Sequence, residues 1–208
     1  MSLLGFVVGI DVGGQRKGFH AVALEEGAYR YGMEGKDHAA IARWCRELGA
    51  KIIAVDAPCR WSSDGHERPA ERELRSKKIG CFSTPTLAAA GAHPKNHFGW
   101  MLAGAELFRE LETSHLLYRG VAVPPSTPIC IETFPHAIAC ALAGQPISAR
   151  RKGTVLRALL EKLGIDTAPL LNIDMVDAAL CAWAAYAFSA GTFQSYGDAQ
   201  SGYIVVPS

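Results

Sequence analysis

The chain lacks an excess of either charge, because 21 Lys and Arg stand against 20 Asp and Glu in 208 residues. The net charge of +1 excludes any argument from bulk basicity, so a contact with nucleic acid has to come from a local patch. Hydrophobic residues make up 49% of the chain, which excludes a disordered composition. The length suits one globular domain that needs neither a disulfide nor a metal to fold.

Paired cysteine motifs and long apolar runs are also missing. The six cysteines form no CxxC pair, which argues against a zinc site and for small core residues in a reducing compartment. The apolar run over 3–10 has no basic segment and no small-residue cleavage site, so it is not predicted to be a signal peptide. The run over 175–191 contains Asp177 and is shorter than the ~20 residues of a membrane span. We therefore expect a cytosolic protein.

Nucleotide-binding and nucleophile motifs are likewise absent. The segment GIDVGG at 9–14 matches neither a P-loop nor a dinucleotide-binding pattern, and the chain contains no GxSxG nucleophile elbow. Gly13 and Gly14 either let a phosphate approach the backbone or form the turn into the second strand, and we favour the turn. Four histidines in or near predicted loops receive no assigned role: His66, His93, His97 and His136.

Hydrophobic periodicity predicts strands first and helices later. Residues 6–12, 18–24 and 28–33 are typical of strands and are expected to pair antiparallel. A helix capped by Asp37 then leads to a buried strand over 51–56. Because a helix joins two buried strands, that fourth strand is predicted to run parallel to the first.

The remaining elements complete a mixed sheet. The segment at about 57–97 holds four prolines and many charges, and we interpret it as a helical insertion within a single domain over 1–208. Further elements are expected in this order: a helix capped by Asn96, a fifth strand over 129–132, helices over 135–142 and 149–163, a helix capped by Asn172, and an edge strand over 203–206. Three antiparallel strands followed by parallel strands, with helices on both faces, predict an RNase H-like α/β fold rather than a Rossmann fold.

Acidic residues end three of the predicted strands. Asp11, Asp56 and Glu132 close strands one, four and five, and the carboxyl ends of neighbouring parallel strands lie at one edge of a sheet. Asp177 lies inside an alanine-rich helix, where Asp is a poor helix former. Asp174 lies three residues before it on the same helical face. We therefore expect these acids to converge.

Each of these acids could have an ordinary structural role, or together they could form a metal site. Asp11 could open a loop, Asp56 could belong to a turn before Pro58, and Asp174 could complement the helix dipole. Two carboxylates ~4 Å apart nevertheless repel by about 4 kcal/mol at an effective dielectric of 20, so a cluster calls for a cation. Oxygen ligands in an open site suit Mg²⁺ or Mn²⁺. Two such ions can activate water and stabilise the leaving oxygen in phosphodiester hydrolysis.

A local excess of positive charge lies in the insertion. The segment 67–78 predicts a helix with Arg68, Arg72 and Arg75 on one face. Seven Lys and Arg stand against four Asp and Glu over 60–95, a net charge of +3. This segment suits binding to a phosphate backbone, and a solvated helical face is the alternative.

Five short motifs occur in an order that resembles one family. They are GID at 9–11, VDAP at 55–58, ERELR at 71–75, IETFPHA at 131–137 and MVDAALCAW at 175–183. Together they make the chain similar to the family catalogued as domain of unknown function 429, whose members are described as predicted nucleases of the RNase H-like superfamily. The resemblance spans nearly the whole chain.

The resemblance implies a metal-dependent nuclease. Three residues fall where RuvC-like members of the superfamily place metal ligands: Asp11, Asp56 and Asp177. Glu132 falls on the family's own ETFP-type motif. The chain departs from the family at its end, where Ser201 rather than an acidic residue precedes Gly202, so the resemblance implies no role for the last strand.

Three functions from different classes remain open at this point. The leading hypothesis is a Mg²⁺- or Mn²⁺-dependent nuclease acting on structured or single-stranded nucleic acid. In it, Asp11, Asp56, Asp174 and Asp177 form the metal site, Glu132 binds metal or orients water, and Arg68, Arg72 and Arg75 hold phosphates. A second hypothesis is ATP binding, since GIDVGG and an Asp-ended strand also open actin-like sugar and acetate kinases, which use two such domains. The third is a non-catalytic binding module of the same fold.

Overall fold

The computed structural model describes residues 5–122, 124, 126–147 and 152–208, without the side chain of Lys152. The strands are β1 Phe6–Val12, β2 Phe19–Glu25, β3 Ala28–Gly35, β4 Ile52–Asp56, β5 Leu116–Leu117, β6 Ile129–Glu132, β7 Phe193–Asp198 and β8 Gly202–Pro207. The helices are α1 His38–Glu47, α2 Pro69–Ser76, α3 Leu87–Ala92, α4 Gly99–Leu111, α5 Pro135–Ala143, α6 Lys152–Lys162 and α7 Ile173–Ser189.

The strands form one mixed sheet in the order β3-β2-β1-β4-β6-β8-β7, with the short β5 beside β6. The first three strands pair antiparallel, whereas β4 runs parallel to β1 and β6 runs parallel to β4. The predicted mixed α/β architecture is therefore confirmed, and it is consistent with an RNase H-like fold. The carboxyl ends of β1, β4 and β6 meet at one edge of the sheet.

Helices cover both faces of this sheet. The apolar core on one face includes residues of α5, α6 and α7, and the core on the other face includes residues of α1 and α4. Alternate residues of β1 supply both cores, since Val7 belongs to the first and Val8 to the second. A Cβ at Gly9 would lie 1.9 Å from the backbone nitrogen of Ala182, so only glycine lets α7 pack directly on β1.

The last helix, α7, is buried on almost every side. Eleven of its residues are buried, and they occur all around the helix. Small alanine side chains allow this, because they let the sheet and its neighbouring helices approach closely. The predicted cap is present: the side chain of Asn172 accepts a hydrogen bond from the Met175 N–H at 2.8 Å.

Several predicted boundaries were wrong. The strand predicted over 203–206 is present as β8, but it is not at the edge, because β8 lies between β6 and β7. The polar edge strand β7 was not predicted. Asn96 does not cap α4, which begins at Gly99; Asn96 instead has φ 48° in the preceding turn. The start of the helix predicted over 149–163 lies partly outside the described residues. The segment 57–97, which we interpreted as an insertion, contains α2, which packs on β7, and the unpredicted helix α3.

Within the part of the chain that the structure describes, no helix has the length and apolar character that a membrane span requires.

Candidate functional site

Three polar side chains meet where β1 ends. Asp11 is in register with Asp56 on β4 and, on the other side, with His20 on β2. Residues paired directly across neighbouring strands point to the same face of a sheet, so these three side chains lie on one face. Gly9, two residues before Asp11, contacts α7, which identifies that face as the one that α7 covers.

The helix α7 brings further carboxylates to the same place. One ligand atom each from Asp11, His20 and Asp174 lies within 4.8 Å of the others. Asp177, one turn further along, is buried with 6% of its surface exposed. We refer to Asp11, Asp56, Asp174 and Asp177 as the acidic cluster. The four acids selected from the sequence thus come from β1, β4 and α7, and the structure brings them to the carboxyl end of β1.

Lys17 supplies the positive charge beside the acidic cluster. Its ammonium nitrogen donates a hydrogen bond to Asp174 Oδ1 at 2.6 Å. This hydrogen bond raises the pKa of Lys17 against the opposing effect of burial, and the charges of Asp174, Asp11 and Asp177 raise it further. The Lys17 side chain is nevertheless 58% exposed, so it can leave the carboxylates without unpacking the core.

The glycine pair makes the tight turn that brings Lys17 back to the cluster. The Gly13 N–H donates to the Gly18 carbonyl at 2.8 Å, and the Gly18 N–H donates to the Gly14 carbonyl at 2.9 Å. Gly18 has φ 74°, a conformation that glycine adopts without strain. The turn, rather than an open phosphate-binding loop, is therefore the observed use of this motif.

Sequence reasoning missed His20. Only 5% of its surface is exposed, and its Nδ1 lies 4.0 Å from Asp11 Oδ2, beyond hydrogen-bond distance. Among the described residues, that nitrogen has no hydrogen-bond partner, which is unusual for a buried polar atom. The sequence did contain an indication of this residue. His20 is the single histidine of the apolar second strand, and a short turn separates that strand from Asp11.

Glu132 does not join the acidic cluster. It is in register with Val55, one residue before Asp56, so the side chains of Glu132 and Asp56 point to opposite faces of the sheet. Arg68 donates to both of its oxygens, at 2.9 and 2.5 Å, and the Cys59 N–H donates at 2.8 Å. The predicted role of Glu132 as a ligand or base conflicts with this placement, because its oxygens are engaged in a buried ion pair.

Arg68 was predicted to bind phosphate, but it is not part of an exposed surface. It is only 3% exposed and also donates to Glu71 Oε1 at 2.9 Å. Burial lowers the pKa of Arg68, but the charge of Glu132, its hydrogen bond and the charge of Glu71 outweigh burial and raise the pKa. We refer to Arg68, Glu71 and Glu132 as the arginine network. It attaches the start of α2 to the end of β6.

The other two predicted phosphate ligands lie on the exposed side of α2. Arg72 and Arg75 are exposed there, and Arg75 forms an ion pair with Glu67. The helix α2 packs on β7, the edge strand four places from β1 in the sheet. The structure therefore brings neither arginine into the group formed by Asp11, His20 and Asp174.

A small cleft lies between these regions at the same edge of the sheet. It has a cavity volume of ≈ 40 Å³ and reaches from Asp56 to Glu132. Aromatic side chains line it: Phe82, Trp100 and Phe134. Asp56 thus borders the cleft on one side and is in register with Asp11 on the other.

The family model described as "Protein of unknown function (DUF429)" matches residues 9–201, which contain every residue of the acidic cluster. No curated protein and no solved structure matches the chain. Because the matched segment covers nearly all of the sequence, the chain belongs to this family of unknown function, DUF429.

Proposed function

We propose that this protein is a metal-dependent nuclease, which hydrolyses phosphodiester bonds of nucleic acid at the acidic cluster. The observation that carries the proposal is the meeting of Asp11, His20 and Asp174, whose ligand atoms lie within 4.8 Å of one another. These residues come from β1, β2 and α7, so their approach is a product of the tertiary fold. The orphaned Nδ1 of buried His20 supports a ligand between them.

The spacing of the three groups fits one divalent ion. Oxygen ligands lie about 2.1 Å from Mg²⁺, so ligands on opposite sides of the ion are about 4.2 Å apart. The three ligand atoms lie within 4.8 Å of one another, so small side-chain rotations would bring them to the spacing of ligands on one ion. Carboxylates suit Mg²⁺ and Mn²⁺, whereas imidazole is a ligand of transition metals. The mixed set of donors therefore favours Mn²⁺ over Mg²⁺.

The remaining residues of the cluster have supporting roles in this proposal. Asp56 and Asp177 add negative charge around the three ligands, which strengthens binding of a cation. Lys17 holds the Asp174 carboxylate when no ion is bound and moves into solvent when one binds. A bound divalent ion would supply Lewis-acid stabilisation of phosphate charge and activation of a water molecule.

Arg16 and Lys17 are exposed on the β1–β2 turn, where they can contact a nucleic-acid backbone.

The metal part of the proposal is tested by Mn²⁺ titration in a thermal-unfolding assay. At 100 times its Kd, an ion that binds only the folded chain adds about 2.7 kcal/mol of stability. For a chain of this length that corresponds to about 5–10 °C in Tm. Asp11→Asn and Asp174→Asn should each remove most of this shift. Asp64→Asn is the matched control, because Asp64 is an exposed turn residue outside the cluster.

The nuclease part is tested on a panel of single-stranded, duplex and branched DNA and RNA. We expect cleavage that requires Mn²⁺, disappears in Asp11→Asn and persists in Asp64→Asn. Cleavage that survives both Asp11→Asn and Asp174→Asn would rule out this site. A Tm shift with ATP and Mg²⁺, but with neither Mn²⁺ nor oligonucleotides, would instead indicate a nucleotide-binding protein.

A further inference from the structure

We propose that the exposed ring of Phe82, which lines the cleft beside Asp56, binds a base of single-stranded nucleic acid by stacking. The substrate class rests on the function proposed above, but the binding does not depend on metal or on cleavage. Phe82 lies in the insertion, on the segment between α2 and α3, and lines the same cleft as Asp56. It would give the protein a recognition site for unpaired bases next to its acidic cluster.

Phe82 is unusual because it is a large aromatic side chain that remains 63% exposed. Its ring lies 6.2 Å from the ring of Trp100 and 6.4 Å from the ring of His97, tilted at 63° and 70°. These neighbours fix the position of the ring without covering it. A fixed, exposed aromatic ring is what proteins that bind single strands offer to a nucleobase.

The aromatic surface continues beyond Phe82. His93, His97 and Phe98 contact one another, with ring centroids 4.9–5.6 Å apart. On the inner side, Trp100 and Phe134 line the cleft itself. This group of rings extends the aromatic surface from Phe82 along the outside of the cleft.

The polar groups in the cleft indicate stacking rather than reading of base edges. The Thr84 hydroxyl donates to Glu71, and the Thr133 hydroxyl donates to the Val205 carbonyl. Both hydroxyl protons are therefore already used inside the protein. Stacking tolerates every base, because each base presents a flat aromatic face, so we expect little sequence preference.

The position and charge of the cleft suit a nucleic-acid strand in particular. Asp56 borders the cleft and is in register with Asp11, so the cleft adjoins the acidic cluster. Exposed Lys95 follows His93 by two residues and adds a positive charge on this side of the cleft. An aromatic surface with positive charge around it matches both parts of a nucleotide.

The strand must be single, because the bases of a duplex are stacked inside it and cannot lie on a protein ring. This distinguishes the cleft from a surface that binds nucleic acid by charge alone. A charged surface would bind single-stranded, abasic and duplex forms according to their phosphates.

The experiment measures binding to the full-length protein in EDTA, so that neither metal nor cleavage contributes. Fluorescence anisotropy would compare a labelled oligothymidylate with an abasic strand of equal length and with the duplex. We expect the oligothymidylate to bind most tightly. Phe82→Ala should weaken its binding roughly 5- to 150-fold, the usual value of one stacked base, and should leave binding of the abasic strand unchanged.

Two variants serve as controls. One keeps an aromatic ring at position 82, and the other removes an exposed ring elsewhere on the protein. Phe82→Tyr keeps the aromatic ring and should retain tight binding. Tyr31→Ala removes a ring that is 51% exposed at the other side of the sheet and should change nothing. Because Phe82 is mostly exposed, Phe82→Ala should melt at the temperature of the wild-type protein.

The results separate this proposal from the proposed nuclease activity. Equal binding of the abasic strand and the oligothymidylate, or equal loss of both in Phe82→Ala, would overturn base stacking whether or not the protein cleaves nucleic acid. Base stacking would be supported if the oligothymidylate binds more tightly than the abasic strand, if this difference depends on Phe82, and if it survives in Asp11→Asn. This holds even if no cleavage is found.

Discussion

Two groups of buried or half-buried acidic residues differ in how their charge is balanced. In the arginine network, the guanidinium of Arg68 is itself buried and binds Glu132 through two hydrogen bonds. In the acidic cluster, the cation is Lys17, whose side chain is 58% exposed and forms an ion pair with Asp174 at 2.6 Å. A fixed counter-ion makes the first group part of the framework, whereas a movable one leaves the second open to a ligand.

The two buried histidines, His115 and His20, differ in the same way, in the hydrogen-bond partners of their ring nitrogens. His115 has both ring nitrogens within hydrogen-bond distance of a partner, the Ala50 carbonyl at 3.0 Å and the Ser114 hydroxyl at 2.9 Å. Within the described part of the chain, His20 Nδ1 has no such partner. Burial alone therefore does not distinguish a structural polar group from a candidate ligand. The hydrogen bonds around the group do, because a fully bonded side chain has nothing left to offer a metal.

The largest expected effect would come from breaking the arginine network. Arg68→Met leaves Glu71 and Glu132 buried without their cation, and removal of one partner of a buried ion pair costs about 3–5 kcal/mol. The Tm should fall by about 6–20 °C, measured by thermal or urea unfolding.

Arg72→Met is the matched control, since Arg72 lies on the same helix but is exposed. We expect its stability to stay within about 0.5 kcal/mol of the wild type. An equally small loss in Arg68→Met would mean that the network is not part of the framework and would remove the contrast with the acidic cluster.

A smaller effect is expected when the movable cation is removed. Lys17→Met deletes the ammonium that occupies Asp174, and an exposed ion pair contributes at most about 1 kcal/mol. The Kd for Mn²⁺ should therefore decrease by up to about fivefold, measured by calorimetric titration. Arg16→Met, a change in the same turn, should leave the Kd nearly unchanged. Weaker binding of Mn²⁺ in Lys17→Met would show that Lys17 assists the ion instead of competing with it.

The smallest effect concerns the structural histidine. Burial lowers the pKa of His115 from its usual 6.5, against a hydrogen bond to Ala50 that raises it. The unfolded chain then binds the proton more readily, so the free energy of unfolding should decrease as the pH falls below 6.5.

Urea unfolding of the wild type and of His115→Gln at about pH 7.5 and about pH 5.5 isolates this contribution. The wild type should lose more stability on acidification than the variant, in which the other titrating groups are unchanged. Parallel pH profiles would show that His115 is not held neutral by the fold.

Most of the fold and part of the site could be predicted from the sequence. The buried run ending at Asp11, the helix after Asp37 and the strand ending at Asp56 fix a parallel pair, because only a crossover joins them in that order. Asp177 stood out because it interrupts an apolar helix. Family membership followed from short motifs in the right order, and the family match over residues 9–201 confirms it.

The predictions failed where they depended on strand register. Glu132 and Asp56 both end parallel strands, and in the sequence they look equivalent. A register in which Val55 pairs with Glu132 turns the two side chains to opposite faces. A shift by one residue would reverse this outcome, and no local pattern specifies it. The position of β7 outside β8 was missed for a related reason, since sequence order does not give spatial order.

By itself, the sequence determined most of the strands and helices, although not β7 or α3, because hydrophobic periodicity and capping are local properties of the chain. It also determined which acids end those strands. Only the tertiary structure decided which acid receives a buried arginine and which acids share their surroundings with His20 and an exposed lysine. Those outcomes depend on register and on contacts between distant residues, where a displacement of one residue exchanges one face of the sheet for the other.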